Sequence, residues 1–265
     1  MLAKKKFLII NADDFNLTAG ISRAICAAVD TGVVTSTSVF INEKATPYLK
    51  KVKAYHSLGI GLHFNITSGS PLSKPQDVKT LVTRRGTFLA KEKNCFNQTA
   101  SADIFKELNS QFKKFCAFFG RMPTHIDSHH HVHYNKTVYN VIIQLAKQYR
   151  IPIRRRCRDG KACRSEGVLT TDYMYARFDP RKHWTKKSLV QVIRTMKKGV
   201  SELIVHPGFS DSLLQSKSSF NRERKEEFDA LCSAEFQGVL RDEDIVLMNF
   251  DDLKKIKSSK RRGTA

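Results

Sequence analysis

Apolar and polar positions along the chain alternate between two rhythms. Short β-branched or aliphatic runs occur at residues 7–12, 33–41, 59–65, 124–130, 151–155, 202–205 and 245–249. Each is bounded by polar or turn-forming residues, as buried strands are. Between them the apolar spacing changes to three and four. Ile104, Leu108, Phe112, Phe115 and Phe119 share one helical face that ends at Gly120, a residue suited to a left-handed cap. Val138, Val141, Ile142, Leu145 and Tyr149 follow the N-cap candidate Asn135, and Leu189, Val192, Ile193 and Met196 follow Thr185. Strand and helix signals in alternation predict an α/β fold with a parallel sheet. Seven strands with intervening helices suit a barrel-like sheet better than two separate domains, with an open sheet as the alternative. The aperiodic stretches 70–100 and 157–184 are expected to form the rim of a site.

Composition narrows the class. Of 265 residues, 41% are hydrophobic and 27% charged, with 13 Gly and 7 Pro, which excludes a fibrous or low-complexity chain. No apolar run approaches the roughly 20 residues that span a bilayer, and the start of the chain has no signal-peptide core, so a cytoplasmic enzyme with no membrane partner is expected. Six cysteines without a C-x-x-C pair are expected to be free thiols. The net charge is +21, from 46 basic and 25 acidic residues. It raises nucleic acid as a partner, with Arg154, Arg155, Arg156, Arg158, Lys161 and Arg164 as one dense patch and the segment 254–262 as another. Neither patch contains a stacking aromatic, so no specific nucleic acid is expected. Residues 1–257 read as a single domain and 258–265 as a basic flexible tail.

Five of the nine histidines, His125, His129, His130, His131 and His133, fall within nine residues. On a strand the odd-numbered residues 125–133, Asp127 included, share a face and His130 points away. On a helix His125 and His129 would form an H-x-x-x-H metal pair, but Pro123, Thr124 and Ile126 favour the strand. Asp13 and Asp14 follow an apolar strand, where adjacent carboxylates either cap a helix or serve a cation or a proton transfer. His63 ends another strand. His206 opens an H-P-G turn after a third. Asp13, Asp14, His63, His129 and His206 all lie at or near the C-terminal ends of predicted strands, which converge on the active-site mouth of a parallel barrel. One Asp with two neutral imidazoles suits a hydrolytic metal centre.

These residues resemble a known family. N-A-D-D-F at 11–15, V-T-S-T-S at 34–38, G-L-H-F-N-I-T-S-G-S-P-L at 61–72, P-T-H-I-D-S-H-H-H-V-H at 123–133 and H-P-G at 206–208 are similar, in the same order, to the YdjC-like carbohydrate deacetylases, which include chitooligosaccharide deacetylases. The run from Phe220 through Arg222, Glu223 and Arg224 to Leu231 extends the resemblance over nearly the whole chain.

The resemblance implies a distorted (β/α) barrel of TIM-barrel-like architecture and a hydrolase that removes N-acetyl groups from a sugar or oligosaccharide, with a divalent ion, Mg2+ or Zn2+, held by Asp14, His63 and His129. It also implies Asp13 as general base on the metal-bound water and His206 as the acid that protonates the leaving amine. His125, His130, His131 and His133 are left without assigned roles, and a homodimer is allowed for. The family usually reads D-D-F-G where this chain has Asn16, the non-glycine residue best able to adopt the positive φ that glycine implies. The competing readings are a metal phosphoesterase, which would want two metals and more acids, and a basic nucleic-acid-binding protein on a retained deacetylase-like fold.

Overall fold

The structure, a computed structural model, describes residues 5–89, 95–156, 167–177 and 182–262. Its elements run β1 (Lys6–Phe15), α1 (Ala19–Asp30), β2 (Ser36–Val39), α2 (Tyr48–Lys51), β3 (Gly59–Phe64), α3 (Ser101–Phe119), β4 (Ile126–Ser128), α4 (Lys136–Tyr149), β5 (Tyr173–Tyr175), α5 (Lys186–Thr195), β6 (Gly199–Val205), α6 (Ser212–Lys217), α7 (Arg222–Leu231), α8 (Ala234–Asp242), β7 (Ile245–Leu247) and α9 (Phe250–Arg262). The strands form one parallel sheet in the order β4-β3-β2-β1-β6-β5, and β7 pairs with the start of β1.

The fold is a distorted (β/α) barrel. Its ring continues past the edge strands through backbone hydrogen bonds, with Arg154 donating to the Ile126 carbonyl at 3.0 Å and Ile153 to that of Leu169 at 2.9 Å. Residues 151–155 therefore form no strand: a single parallel bridge joins Ile153 to Ile126. The seventh strand is β5, inside the stretch expected to be a rim loop.

Alternation along β1 separates two environments. Leu8, Ile10 and Ala12 join the large core between sheet and helices. Phe7 and Ile9 instead pack with Val200, Met248, Phe250 and Leu253 in a smaller cluster on the opposite face. The expected helical stripes face the core, with Tyr149 and Val192 only partly buried, and Gly120 closes α3 at φ 68°. Asn135 caps α4 by accepting from the Thr137 and Val138 amides, and Thr185 caps α5. The segment from Leu72 to Thr80 packs on α3 rather than framing the site: Leu72 and Ser73 donate to the Glu107 carboxylate, and Thr80 to Asp103. Helix α9 carries helical backbone through residues 258–262.

Cys26, Cys116 and Cys232 are free thiols, while Cys157 and Cys163 lie outside the described residues. Among the described residues, no helix is long and apolar enough to cross a membrane.

Gly61 on β3 is required by a close approach. A Cβ there would stand 2.2 Å from Cε1 of His125, and that ring is fully buried and stacked at 3.9 Å on Phe250. The ring has no room to retreat. Gly61→Ala is therefore expected to cost at least the roughly 1–3 kcal/mol typical of overpacking, read as a fall of several degrees in the calorimetric Tm; an unchanged Tm would contradict it.

Candidate active site

Consecutive residues of a strand point to opposite faces, yet Asp13 and Asp14 both reach the same cavity. A bulge makes this possible: β1 pairs Ala12 with Thr37 but Phe15 with Val39, so three steps on β1 span two on β2. Asp14 takes φ 70° and Asn16 φ 72°. Asp and Asn tolerate this region better than other side chains. Asn16 meets the positive φ expected of it and anchors the turn, donating to the Phe40 carbonyl and accepting from the Thr46 amide, both at 2.8 Å.

Register brings the other groups together. His63 and Asp127 are direct partners across β3 and β4, and the His63 Nδ1–H donates to Asp127 Oδ1 at 2.8 Å. This leaves Nε2 facing Asp14 Oδ1 at 3.2 Å. His129 follows β4 directly and places Nδ1 3.1 Å from the same oxygen and 3.4 Å from His63 Nε2. Ala12 pairs with Val205, so the next residues, Asp13 and His206, lie side by side, with His206 Nε2 3.8 Å from Asp13 Oδ2.

The expectation that odd residues 125–133 share one face fails after His129. Strand β4 ends at Ser128, and residues His129–Tyr134 coil into a 3-10 turn in which His130 and His131 adopt φ 53°. His130 hydrogen-bonds Thr67 and stacks on His129, and His133 pairs with Ser128. Burial pushes the His125 imidazole down to about 4 and that of His133 to about 3, so both are neutral core residues.

The largest departure from the sequence reading is Arg154. Placed with a surface patch there, it is 2% exposed at the barrel centre. It forks onto both oxygens of Asp13 at 2.7 Å, and meets Glu202 at 2.9 Å through Nε and Asp127 at 2.9 Å. Arg155 is buried as well, on the Thr171 carbonyl; Arg158, Lys161 and Arg164 lie outside the described residues. The visible hint was charge within apolar company: Glu202 interrupts an aliphatic strand and a buried carboxylate demands a partner.

Electrostatics follow from these contacts. Burial alone would raise the Asp13 carboxyl, but Arg154's charge and hydrogen bonds hold it well below the usual carboxylate range. Asp14 is likewise held low against burial, by Arg224 and by bonds from His129 and His63. Glu202 is the exception: burial lifts it to about 7 despite Arg154. For His63, burial favours the neutral ring, yet the Asp127 and Asp14 carboxylates raise it to about 10.

Among the described residues, two groups of side chains have cation-ligand spacing: Asp14, His63 and His129, and Asp13, His63 and Asp127, each with donor atoms within 4.8 Å of one another. In the second, the Arg154 guanidinium already occupies the carboxylates. The first fits a divalent cation, because two imidazole nitrogens converge on one carboxylate oxygen and Asp127 fixes the tautomer of His63 from behind. Cation binding there competes with protonation of His63 and weakens as pH falls. The cavity above has a volume of about 350 Å³, and Arg177, Lys217, Phe220 and Arg224 complete its wall. Of the two loops expected at the rim, among the described residues only 157–184 contributes to it, through Arg177.

Residues 7–242 match the model of the YdjC-like protein family. The chain belongs to the YdjC-like family. Among its relatives, a carbohydrate deacetylase of Clostridium beijerinckii is 36% identical, covering 93% of this chain and 99% of its own. A chitooligosaccharide deacetylase of Serratia marcescens is 32% identical over 94% and 100% respectively. A solved structure from Enterococcus faecalis V583, described as a cellobiose-phosphate cleavage protein, superposes with a TM-score of 0.84 at 30% identity, covering 94% of this chain and 99% of that one. Of the motifs that carry the YdjC-like resemblance, those at 11–15, 61–72, 123–133 and 206–208 and the run from Phe220 supply residues to the cavity, and the one at 34–38 stands behind it, with Ser38 Oγ 3.0 Å from His63 Nδ1.

Proposed function

We infer that this YdjC-like protein is a carbohydrate deacetylase that hydrolyses the acetamide of an N-acetylated sugar, using a divalent cation held by Asp14, His63 and His129. The observation that carries the reading is the convergence of two imidazoles and one carboxylate oxygen beside a second, Arg-paired aspartate. Asp13 accepts the proton of the attacking water. Arg154 holds the Asp13 carboxyl well below the usual carboxylate range, which also makes it a weak base; it would need a water of lowered pKa near a polarised carbonyl, the chemistry a divalent cation at this site would supply. His206 stands on the far side of Asp13 and donates a proton to the departing nitrogen as the C–N bond breaks, giving acetate and an amine. Its backbone N–H is fixed by the Glu227 carboxylate at 2.6 Å, and its side chain is 20% exposed at the cavity.

The nucleic-acid reading is not favoured, since Arg154 and Arg155 serve the interior and leave the supposed patch without two of its members. A two-metal phosphoesterase is disfavoured by the guanidinium that fills the second carboxylate group.

The test is acetate release from N-acetylated chitooligosaccharides by the purified protein, with and without a chelator. Asp13→Asn is expected to retain one metal per chain and to lose about 10² to 10⁴ in rate, the usual worth of a general base. Near-normal turnover, or loss of the metal, would remove Asp13 from that role.

A further inference from the structure

The glycine of the H-P-G turn and the arginine of α7 form a unit that the catalytic reading does not use. A Cβ on Gly208 would lie 3.0 Å from Cδ and 3.2 Å from Cβ of Arg224, so the missing side chain is the notch through which the arginine stem passes. The same turn binds the helix backbone, the Gly208 N–H donating to the Arg224 carbonyl at 3.1 Å. One turn further along α7, Glu227 accepts the His206 N–H. Residues 206–208 and α7 are thus fastened at three points.

From this mount the Arg224 side chain, 5% exposed, reaches across the cavity wall. Its Nε donates to the Phe220 carbonyl at 3.0 Å, and its guanidinium carbon lies 5.4 Å from the centroid of the Phe220 ring. Its Nη2 then grips Asp14 Oδ2 at 2.6 Å. The two oxygens of Asp14 consequently have different partners: Oδ2 belongs to Arg224, and Oδ1 alone faces His63 and His129.

We propose that Arg224 is a positioning residue for the cation site: it clamps Asp14 Oδ2, so that the carboxylate offers only Oδ1 to a cation and leaves the remaining coordination positions for water and substrate, and Gly208 is the clearance that makes this clamp possible. The proposal rests on the reading of Asp14, His63 and His129 as ligands. A charge-assisted bond to a buried carboxylate is strong enough to oppose rotation of the group. Partners of ligating carboxylates typically contribute 10- to 100-fold to metal affinity.

The sign of the effect separates positioning from simple charge. Removing a guanidinium next to a cation site relieves repulsion, so on charge alone Arg224→Gln would bind metal more tightly. The clamp requires the opposite. The experiment measures the Zn2+ Kd of the full chain by competition with a chromophoric chelator, with circular dichroism and the Tm of the metal-free protein as folding controls.

Arg224→Gln is expected to raise Kd by 10- to 100-fold, and Arg224→Lys, which keeps the charge but not the fork, by less. Gly208→Ala, with the arginine intact but its stem displaced, should raise Kd by a few fold. Arg222→Ala, a change at an arginine whose side chain is 88% exposed and pairs with Glu226, should leave Kd and Tm unchanged. A folded Arg224→Gln protein with wild-type or tighter Zn2+ binding overturns the proposal. Should that variant fail to fold, wild-type Kd values in both Arg224→Lys and Gly208→Ala overturn it equally. Wild-type protein that binds neither Zn2+ nor Mg2+ would sink the ligand reading itself, whereas metal-binding wild type with unaffected variants sinks only the clamp.

Discussion

Replacing His63 by Ala is expected to abolish stoichiometric metal binding and to lower acetate release by about three orders of magnitude or more, corresponding to the several kcal/mol that a Lewis acid contributes to such a transition state. Three ligands from three strand ends leave no spare donor. His63 is held on both sides, by Asp127 and Ser38 at Nδ1 and by Asp14 at Nε2, and its removal also frees the two carboxylates it separates. Asp14→Ala and His129→Ala should behave alike. Metal analysis after gel filtration, paired with a chelation and Zn2+ add-back assay, checks this: the wild type recovers activity and the three variants do not. Full metal content in any one of them would show that its side chain is not a ligand.

Arg154→Met should produce the largest loss of stability of any single change in the barrel interior. The guanidinium is the shared counter-charge of Asp13, Asp127 and Glu202. Removing one partner from a buried ionic cluster typically costs about 3–5 kcal/mol, because the remaining charges stay desolvated and unpaired. At roughly 2–4 °C per kcal/mol for a chain of this size, the Tm should fall by about 10 °C.

A second effect has a definite sign. Arg154 lowers the Asp13 carboxyl against the upward push of burial, so without it the group protonates at higher pH. An ionised base is needed for turnover, and the acid limb of the pH–rate profile should therefore move to higher pH. Arg154→Lys restores a charge without the two-pronged geometry and should recover only part of either loss. A variant with wild-type Tm and an unmoved acid limb would show that the cluster is passive.

Much of the fold was legible because helices and strands announce themselves through periods of 3.6 and 2 within a dozen residues. The stripes of α3, α4 and α5, the cap residues Asn135 and Thr185 and the closing Gly120 all depend on neighbours in sequence. The convergence of Asp14, His63 and His129 was legible for a different reason, namely that each lies at the C-terminal end of a strand and parallel strands end together. Residues 151–155 looked like a strand because of the β-branched pair Ile151 and Ile153, but ring closure uses them through one bridge, while β5, only three residues long, carries too short a pattern to be seen.

What only the tertiary structure decided is the destination of the charges. Whether Arg154 points to solvent or to the barrel axis depends on contacts 141 residues away, and the hold of Arg224 on Asp14 spans 210 residues. The bulge that turns Asp13 and Asp14 toward one cavity comes from the offset between β1 and β2, not from either segment alone. Local sequence encodes the preference of each segment. The pairing of long charged side chains is set by strand register and barrel closure, because a buried charge is stable only where the completed fold brings it a partner.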